Sequence, residues 1–389
     1  MLYRELGKTK EKVSILGFGA MRLPTNGTND IINKEKSSEI LSYGIENGIN
    51  IIDTAYSYHS ADLNNGGNSE VFLGEFLKNS YRDDVLLSTK SPTWLIEKKE
   101  DFNKYLDEQL KRLQTDQIDI YLLHALTENN WDNLKALDVF EFMDSALESG
   151  KIKHIGFSAH APIDYLIDFV EDYGKFEVGL TQMNFIDEQY QSGIYGLDYL
   201  ESVNLGSMIM EPLRGGRLVK NVPQDVLDIY NQSEVKRNPV EWALQYLWNM
   251  KTVDCVLSGM NSLEQVKENI EIASRSEINC FNEEDKEIIR EAAIEYRRRK
   301  SNDCNTCGYC MPCPQGVDIP SCLKEYNIAK MLDDPKGSAM QYFSLIEDGA
   351  RADSCTYCEE CKFICTQLVN IPEELEKANE FFGEQFNHF

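Results

Sequence analysis

The chain has 389 residues, 42% hydrophobic and 27% charged, the balance of a soluble globular protein. Its net charge of −26 and pI of about 4.6 argue against a nucleic-acid backbone or an anionic membrane surface as partner. There is no apolar run of the about eighteen residues a membrane span needs, and Met1–Glu5 lacks a signal peptide's apolar core, so a cytoplasmic location is expected. The length exceeds the about 250 residues of a single (β/α)8 barrel, which predicts one large domain and an appendage.

Residues 3–23 read as a short hairpin followed by a strand at Val13–Phe18. Ser37 and Ser38 can cap a helix that runs to Asn47 and stops at Gly48. The strand Ile51–Asp53 follows, and its polar loop carries Tyr58. Ser69 is expected to cap the next helix. Beyond it, strands at 85–90, 118–124, 154–158, 178–181, 207–211 and 253–257 alternate with helices at 101–113, 134–149, 163–172, 194–203, 240–249 and 263–274. Eight strand–helix units predict an α/β fold, a closed (β/α)8 TIM barrel over residues 1–282. An open doubly wound sheet is the alternative, but the glycine fingerprint such sheets carry after their first strand is absent. A connecting helix is expected over 283–300, and residues 301–389 form the appendage.

Three of these strands end in ionisable residues: Asp53, Lys90 and His124. Tyr58 follows Asp53 by one short loop. A phenol is a weak acid at neutral pH, and a nearby ammonium is expected to lower its pKa while a carboxylate holds the ammonium in place. An imidazole can orient a carbonyl. As a set, these residues can protonate a carbonyl oxygen while hydride reaches its carbon.

The words Asp53-Thr54-Ala55 with Tyr58, Ser88-Thr89-Lys90 and Asp119-Ile120-Tyr121-Leu122-Leu123-His124 resemble the aldo-keto reductases. The resemblance spans roughly residues 3–275. It implies a nicotinamide cofactor, NADP(H) or NAD(H), and a small carbonyl or alcohol substrate. Tyr58 would be the general acid, Asp53 and Lys90 would tune it, and His124 would orient the substrate. It also implies cofactor contacts from Ser158 and Gln182, from Met210, Pro212, Leu213 and Arg214, and from Gly259, Glu268 and Asn269. Ala159 stands where the family commonly has Asn, and Met210 where an aromatic ring commonly stacks on nicotinamide. Arg214-Gly215-Gly216-Arg217 reads either as a phosphate loop over the barrel mouth or as a turn leading into exposed strand or coil.

Eleven cysteines are unevenly spread: Cys255 and Cys280 precede residue 300, and nine lie between Cys304 and Cys365. Cys304, Cys307, Cys310 and Cys313-Pro314 form one run; Cys355, Cys358, Cys361 and Cys365 form a second with ferredoxin spacing. In two-cluster ferredoxins the last Cys of each run serves the other cluster. Two [4Fe-4S] clusters are therefore expected, one on Cys304, Cys307, Cys310 and Cys365 and one on Cys355, Cys358, Cys361 and Cys313. Structural zinc is the alternative. This tail resembles the dicluster ferredoxin modules of one branch of the same family. The expected protein is a carbonyl oxidoreductase with iron–sulfur clusters for structure or electron transfer, and ferredoxin or another redox protein is an expected partner. A ferredoxin-linked enzyme with little nicotinamide use, and a non-enzymatic electron carrier on a barrel scaffold, are the competing readings.

Overall fold

The computed structural model describes residues 1–78 and 80–386; the last three residues of the expected 301–389 module lie outside them. An antiparallel hairpin of β1 (Tyr3–Glu5) and β2 (Lys12–Ser14) comes first. Eight parallel strands then close a barrel: β3 (Leu16–Gly19), β4 (Ile51–Asp53), β5 (Leu86–Ser91), β6 (Ile118–Leu126), β7 (Ile152–Ala159), β8 (Val178–Gln182), β9 (Gly206–Met210) and β10 (Cys255–Ser258), with β10 pairing back to β3. The fold is a (β/α)8 TIM barrel. The expected strand Val13–Phe18 is in fact split. Ser14 Oγ donates to the Leu16 carbonyl at 2.7 Å and Asn50 Oδ1 takes the Ser14 N–H at 2.7 Å, which turns the chain between hairpin and barrel.

The helices also differ in detail. The first, α1 (Lys34–Glu46), starts three residues before Ser37, because Asn33 accepts the Lys36 N–H and is the cap. Gly67, not Ser69, precedes α2 (Asn68–Leu77), and the Ser69 hydroxyl is buried against Thr54 Oγ1 at 2.8 Å. After α3 (Lys99–Leu113), the single helix expected over 134–149 is two, α4 (Glu128–Ala136) and α5 (Val139–Glu148). Between them Asp138 takes a left-handed φ of 62°, which an α-helix cannot continue through. Further along the chain come α6 (Ile163–Tyr173), α7 (Gly193–Ser202), α8 (Arg217–Lys220), α9 (Gln224–Tyr230), α10 (Pro239–Trp248) and α11 (Leu263–Ala273). The excursion after β9 holds α8 and α9, which the sequence pattern does not announce.

Side chains two apart on a strand share a face. Ile51, Ile120, Leu122, Val178, Leu180, Met208, Cys255 and Leu257 fill the barrel interior, joined by Leu6 and Val13 from the hairpin. Arg4 donates to the carbonyls of Met250 (2.9 Å), Val253 and Trp248, in the connection that leads into β10, so the hairpin closes the N-terminal mouth. The same parity sends the residues at the strands' C-terminal ends into the opposite mouth.

Outward-facing Thr89 begins a buried polar network behind the sheet. The Glu70 carboxylate of α2 accepts from Thr89 Oγ1 (2.7 Å), from Gln109 Nε2 (2.6 Å) and from Arg112 Nε (2.9 Å), both of α3. Gln109 also donates to the Lys90 carbonyl at 3.0 Å and accepts from the Tyr121 hydroxyl at 2.8 Å. Glu70 is fully buried.

The chain forms two compact units: residues 1–215 with 240–282, and Gly216–Pro239 with the chain from Glu283 onward. In the second, α12 (Glu283–Arg298) packs against the excursion. Arg237 grips Asp285 through two bonds of 2.6 and 2.9 Å, and the Tyr296 hydroxyl donates to the Leu218 carbonyl at 3.2 Å. Then α13 (Ile319–Met331), α14 (Pro335–Leu345) and α15 (Ile371–Phe386) enclose a small core containing Cys322, Tyr326, Tyr342 and Phe382. The Tyr342 and Phe382 rings stack with centroids 4.1 Å apart. Among the described residues, no helix is long and apolar enough to cross a membrane.

Glu70→Leu should cost about 3 kcal/mol or more in urea unfolding, because it leaves the Arg112 guanidinium and two neutral donors without their acceptor.

Candidate active site

The C-terminal mouth of the barrel gathers the expected set. Asp53 and Ser88 are register partners on β4 and β5, and Lys90 lies two residues further along the same face. Ser88 Oγ donates to Asp53 Oδ1 at 2.8 Å. Lys90 Nζ donates to Asp53 Oδ2 at 2.5 Å, to the Thr54 carbonyl at 2.7 Å and to the Tyr58 hydroxyl oxygen at 3.3 Å. Asp53 is 3% exposed and Lys90 1%, so the pair is held out of water. Lys90 Nζ also lies 4.8 Å from the Tyr58 ring centre. The His124 ring meets that of Tyr58 edge-on at 6.1 Å and lies 5.2 Å from Trp94.

The loop that carries Tyr58 is clamped by the start of α2. The N–H groups of Gly67, Asn68 and Ser69 bond to the carbonyls of Tyr56 (2.7 Å), His59 (3.0 Å) and Tyr58 (3.2 Å). A Cβ at Gly67 would overlap the Tyr58 carbonyl. His59, at a left-handed φ of 60°, anchors the loop from the other side through Nδ1 and the Asn29 carbonyl, 2.6 Å apart.

The electrostatics correct one expectation. Burial pushes the Tyr58 phenol above its usual 10.0; the Lys90 ammonium opposes this, but Asp53 and Glu211 add to it, and the balance is upward. Burial outweighs the pull of the ammonium, so the phenol stays protonated instead of ionising early. Burial alone would lower Lys90, but Asp53 and Tyr58 hold it above its usual value. Burial, then Lys90 and His160, drive His124 well below 6.5, so its imidazole is neutral. Its Nδ1 is buried with no partner among the described residues.

The expected cofactor residues fall into two groups. Ser158, Gln182 and Met210 stand at or next to the C-terminal ends of β7, β8 and β9, and parity turns them into the mouth with Asp53 and Lys90. Gln182 Nε2 donates to Asp187 Oδ2 at 3.1 Å, as does Asn184 Nδ2 at 2.8 Å. Pro212 and Leu213 follow β9. Arg214 is committed elsewhere: its Nε and Nη2 each lie 2.7 Å from an oxygen of Asp187. Arg217 pairs with Asp334 at 2.7 Å and with Ser338. The four-residue word is a 3-10 turn running into α8, not exposed strand or coil, and both of its arginines are ion-paired. After β10, Gly259 is exposed, Glu268 is half-buried and Asn269 is buried, its amide donating to Ser258 Oγ at 3.1 Å. Sequence reasoning missed Ser88, Trp94, Asp187 and Asn184. The Ser88-Lys90 spacing carries a signal for the first of these; the others depend on loop paths with no local pattern.

In the second unit, Cys304, Cys307, Cys310 and Cys365 line one small open pocket. Burial pushes the Cys361 thiol up to about 11, and the neighbouring Cys355, Cys358 and Cys310 add to the shift. None of the eleven cysteines is in a disulfide. Among the described residues, no group of three or more His, Cys, Asp or Glu converges as a single-ion site.

A parallel barrel with a buried carboxylate, ammonium and phenol at its C-terminal mouth defines an oxidoreductase class. The family model described as "Aldo/keto reductase family" matches residues 15–293, and the chain belongs to that family. It is 28% identical over 292 residues to L-galactose dehydrogenase of Arabidopsis thaliana, covering 69% of this chain and 86% of that one. It is 24% identical over 313 residues to the NADH-specific methylglyoxal reductase of Escherichia coli, covering 68% and 91%. Among solved structures, aldo-keto reductase AKR11C1 from Bacillus halodurans (holo form) superposes with a TM-score of 0.61 at 26% identity, over 75% of this chain and 96% of that one. The protein is an oxidoreductase of the aldo-keto reductase type. The cysteine-bearing remainder lies beyond the matched span.

Gly67→Ala should lower stability by about 1–3 kcal/mol, through the overlap with the Tyr58 carbonyl. Thermal melts of wild type and variant measure this, and an unchanged melting temperature would show that the loop yields freely.

Proposed function

We propose that the protein reduces a small carbonyl compound, or oxidises the matching alcohol, with Tyr58 as the general acid or base. The observation that carries this is the Lys90 ammonium, which bonds both the Asp53 carboxylate and the Tyr58 oxygen from inside the barrel. Asp53 fixes the ammonium in place, and the ammonium stabilises negative charge on the Tyr58 oxygen as its proton leaves. Neutral His124 can donate to or accept from a substrate oxygen, which it could not do as freely if charged. When bound, a reduced nicotinamide supplies hydride to the carbonyl carbon, and [4Fe-4S] clusters supply or accept single electrons.

The residues present fit both groups. For the dinucleotide, the mouth offers Ser158, Met210, Gln182 with its amide nitrogen oriented by Asp187, and the orphaned Nδ1 of His124. NADH specificity is stated for one relative; the reading for this chain is use of a nicotinamide dinucleotide, NADP(H) or NAD(H). For the clusters, support comes from the spacing of the two cysteine runs and from Cys304, Cys307, Cys310 and Cys365, which line one pocket. Cys355, Cys358 and Cys361 with Cys313 would hold the second cluster, and ferredoxin or a similar redox protein is the proposed partner.

Tyr58→Phe should abolish carbonyl turnover while leaving cluster absorbance and nicotinamide binding intact; retained turnover would remove Tyr58 as the acid. In the wild type, a phenol raised above 10.0 is protonated at neutral pH and loses its proton as pH climbs past that value. The rate of carbonyl reduction should therefore hold level through neutral pH and fall only above about pH 10. A midpoint below 10.0 would contradict the burial-driven shift.

Replacing Cys304 and Cys307 by Ala together should lower iron in anaerobically purified protein from about eight atoms per chain to about four. Zinc in place of iron in the wild type would overturn the cluster reading.

A further inference from the structure

We propose that Arg22 is the cation that takes the pyrophosphate of the dinucleotide; this rests on the nicotinamide reading above. Barrels of this kind frequently bind phosphate with the loops after their seventh and eighth strands. Here those strands are β9 and β10, and the loops after them carry Gly215 and Gly259. Arg22 comes from the short 3-10 turn directly after β3, the strand that pairs with β10. Its side chain lies against both glycines. A Cβ at Gly215 would come within 2.7 Å of Arg22 Nη2, and one at Gly259 within 3.1 Å of Arg22 Cδ. Gly215 thus abuts the guanidinium and Gly259 the aliphatic stem of one arginine at the rim.

The sequence offers other arginines for this task, and the structure takes them away. Asp187 holds Arg214 through both of its oxygens, and Asp334 with Ser338 holds Arg217. Arg22 is exposed and has neither an ion-pair nor a hydrogen-bond partner among the described residues. The chain's net charge of −26 opposes the approach of any anion, so a dianionic pyrophosphate needs local positive charge. A guanidinium is planar, carries a fork of donors and is permanently charged, which suits two adjacent phosphate oxygens. The two glycines leave room for the Arg22 side chain to lie across the loops.

The test is direct binding, by calorimetry, of NADH and NADPH to the intact wild-type chain and to Arg22→Gln and Arg22→Lys. Arg22→Gln should weaken both dinucleotides about tenfold or more and to the same extent. Arg22→Lys should fall between, because a point charge replaces a fork. Circular dichroism should be the same for all three. Equal affinity of Arg22→Gln and wild type would overturn the assignment and leave the nicotinamide reading standing. A loss confined to NADPH would place Arg22 on the 2′-phosphate instead and would also overturn it. A wild-type chain that binds neither dinucleotide would overturn the cofactor reading and this inference with it.

Discussion

The buried ion pair between Lys90 and Asp53 sets the terms for the whole barrel mouth. Moving a carboxylate and an ammonium out of water costs several kcal/mol each even after relaxation, and their attraction repays this only with good geometry and no spare donors or acceptors. That condition is met. Asp53 accepts from Ser88 on one oxygen and from Lys90 on the other. An ammonium has three protons, and those of Lys90 go to Asp53, to the Thr54 carbonyl and to the Tyr58 oxygen. Tyr58 is thus part of the satisfaction of a buried charge, as well as a neighbour of it. The loop after β4 must then be rigid, and the amides at the start of α2 make it so.

Much of this was legible because strand parity is strict. Once Ile51 is taken as an inward residue, Asp53 is inward too, and the same step of two carries Ser88 to Lys90, Leu122 to His124, Leu180 to Gln182 and Met208 to Met210. Residues at strand ends in a parallel barrel can be placed without coordinates, and every one of these falls in the mouth. Features that depend on competition between partners were not legible. Arg214 and Arg217 sit in a word that suits phosphate, yet each meets a carboxylate contributed by a distant part of the chain. Ser37 has the chemistry of a cap, but Asn33 reaches the free N–H first. The break at Asp138 interrupts an unbroken apolar stripe because one residue adopts a left-handed conformation, which no periodicity reveals.

The cysteine unit follows a different logic. Its core is small and aromatic, built around Tyr326, Tyr342 and Phe382, with six of the eight motif cysteines packed at its edge. A module of this size buries a limited fraction of its surface, and metal ligation commonly makes up the difference. On the cluster reading, the thiols at the edge of the core are both ligands and packing atoms, so cluster loading and folding of this unit are coupled. The barrel has no such need, since its interior is continuous and plugged by the hairpin.

The upward shift of Tyr58 changes what Lys90 is for. A lysine beside a tyrosine suggests a phenolate poised in the resting enzyme. Here burial keeps the proton on the phenol against the pull of the ammonium, and Asp53 opposes that pull. Stabilisation by Lys90 becomes valuable when negative charge starts to form on the Tyr58 oxygen, that is, as a carbonyl oxygen gains electron density and draws the proton across. An interaction that is weak in the ground state and strong at that moment lowers the barrier, whereas one of equal strength in both would not. On the proposed reading, the carboxylate restrains the ammonium at rest and keeps it within 3.3 Å of the one atom whose charge changes.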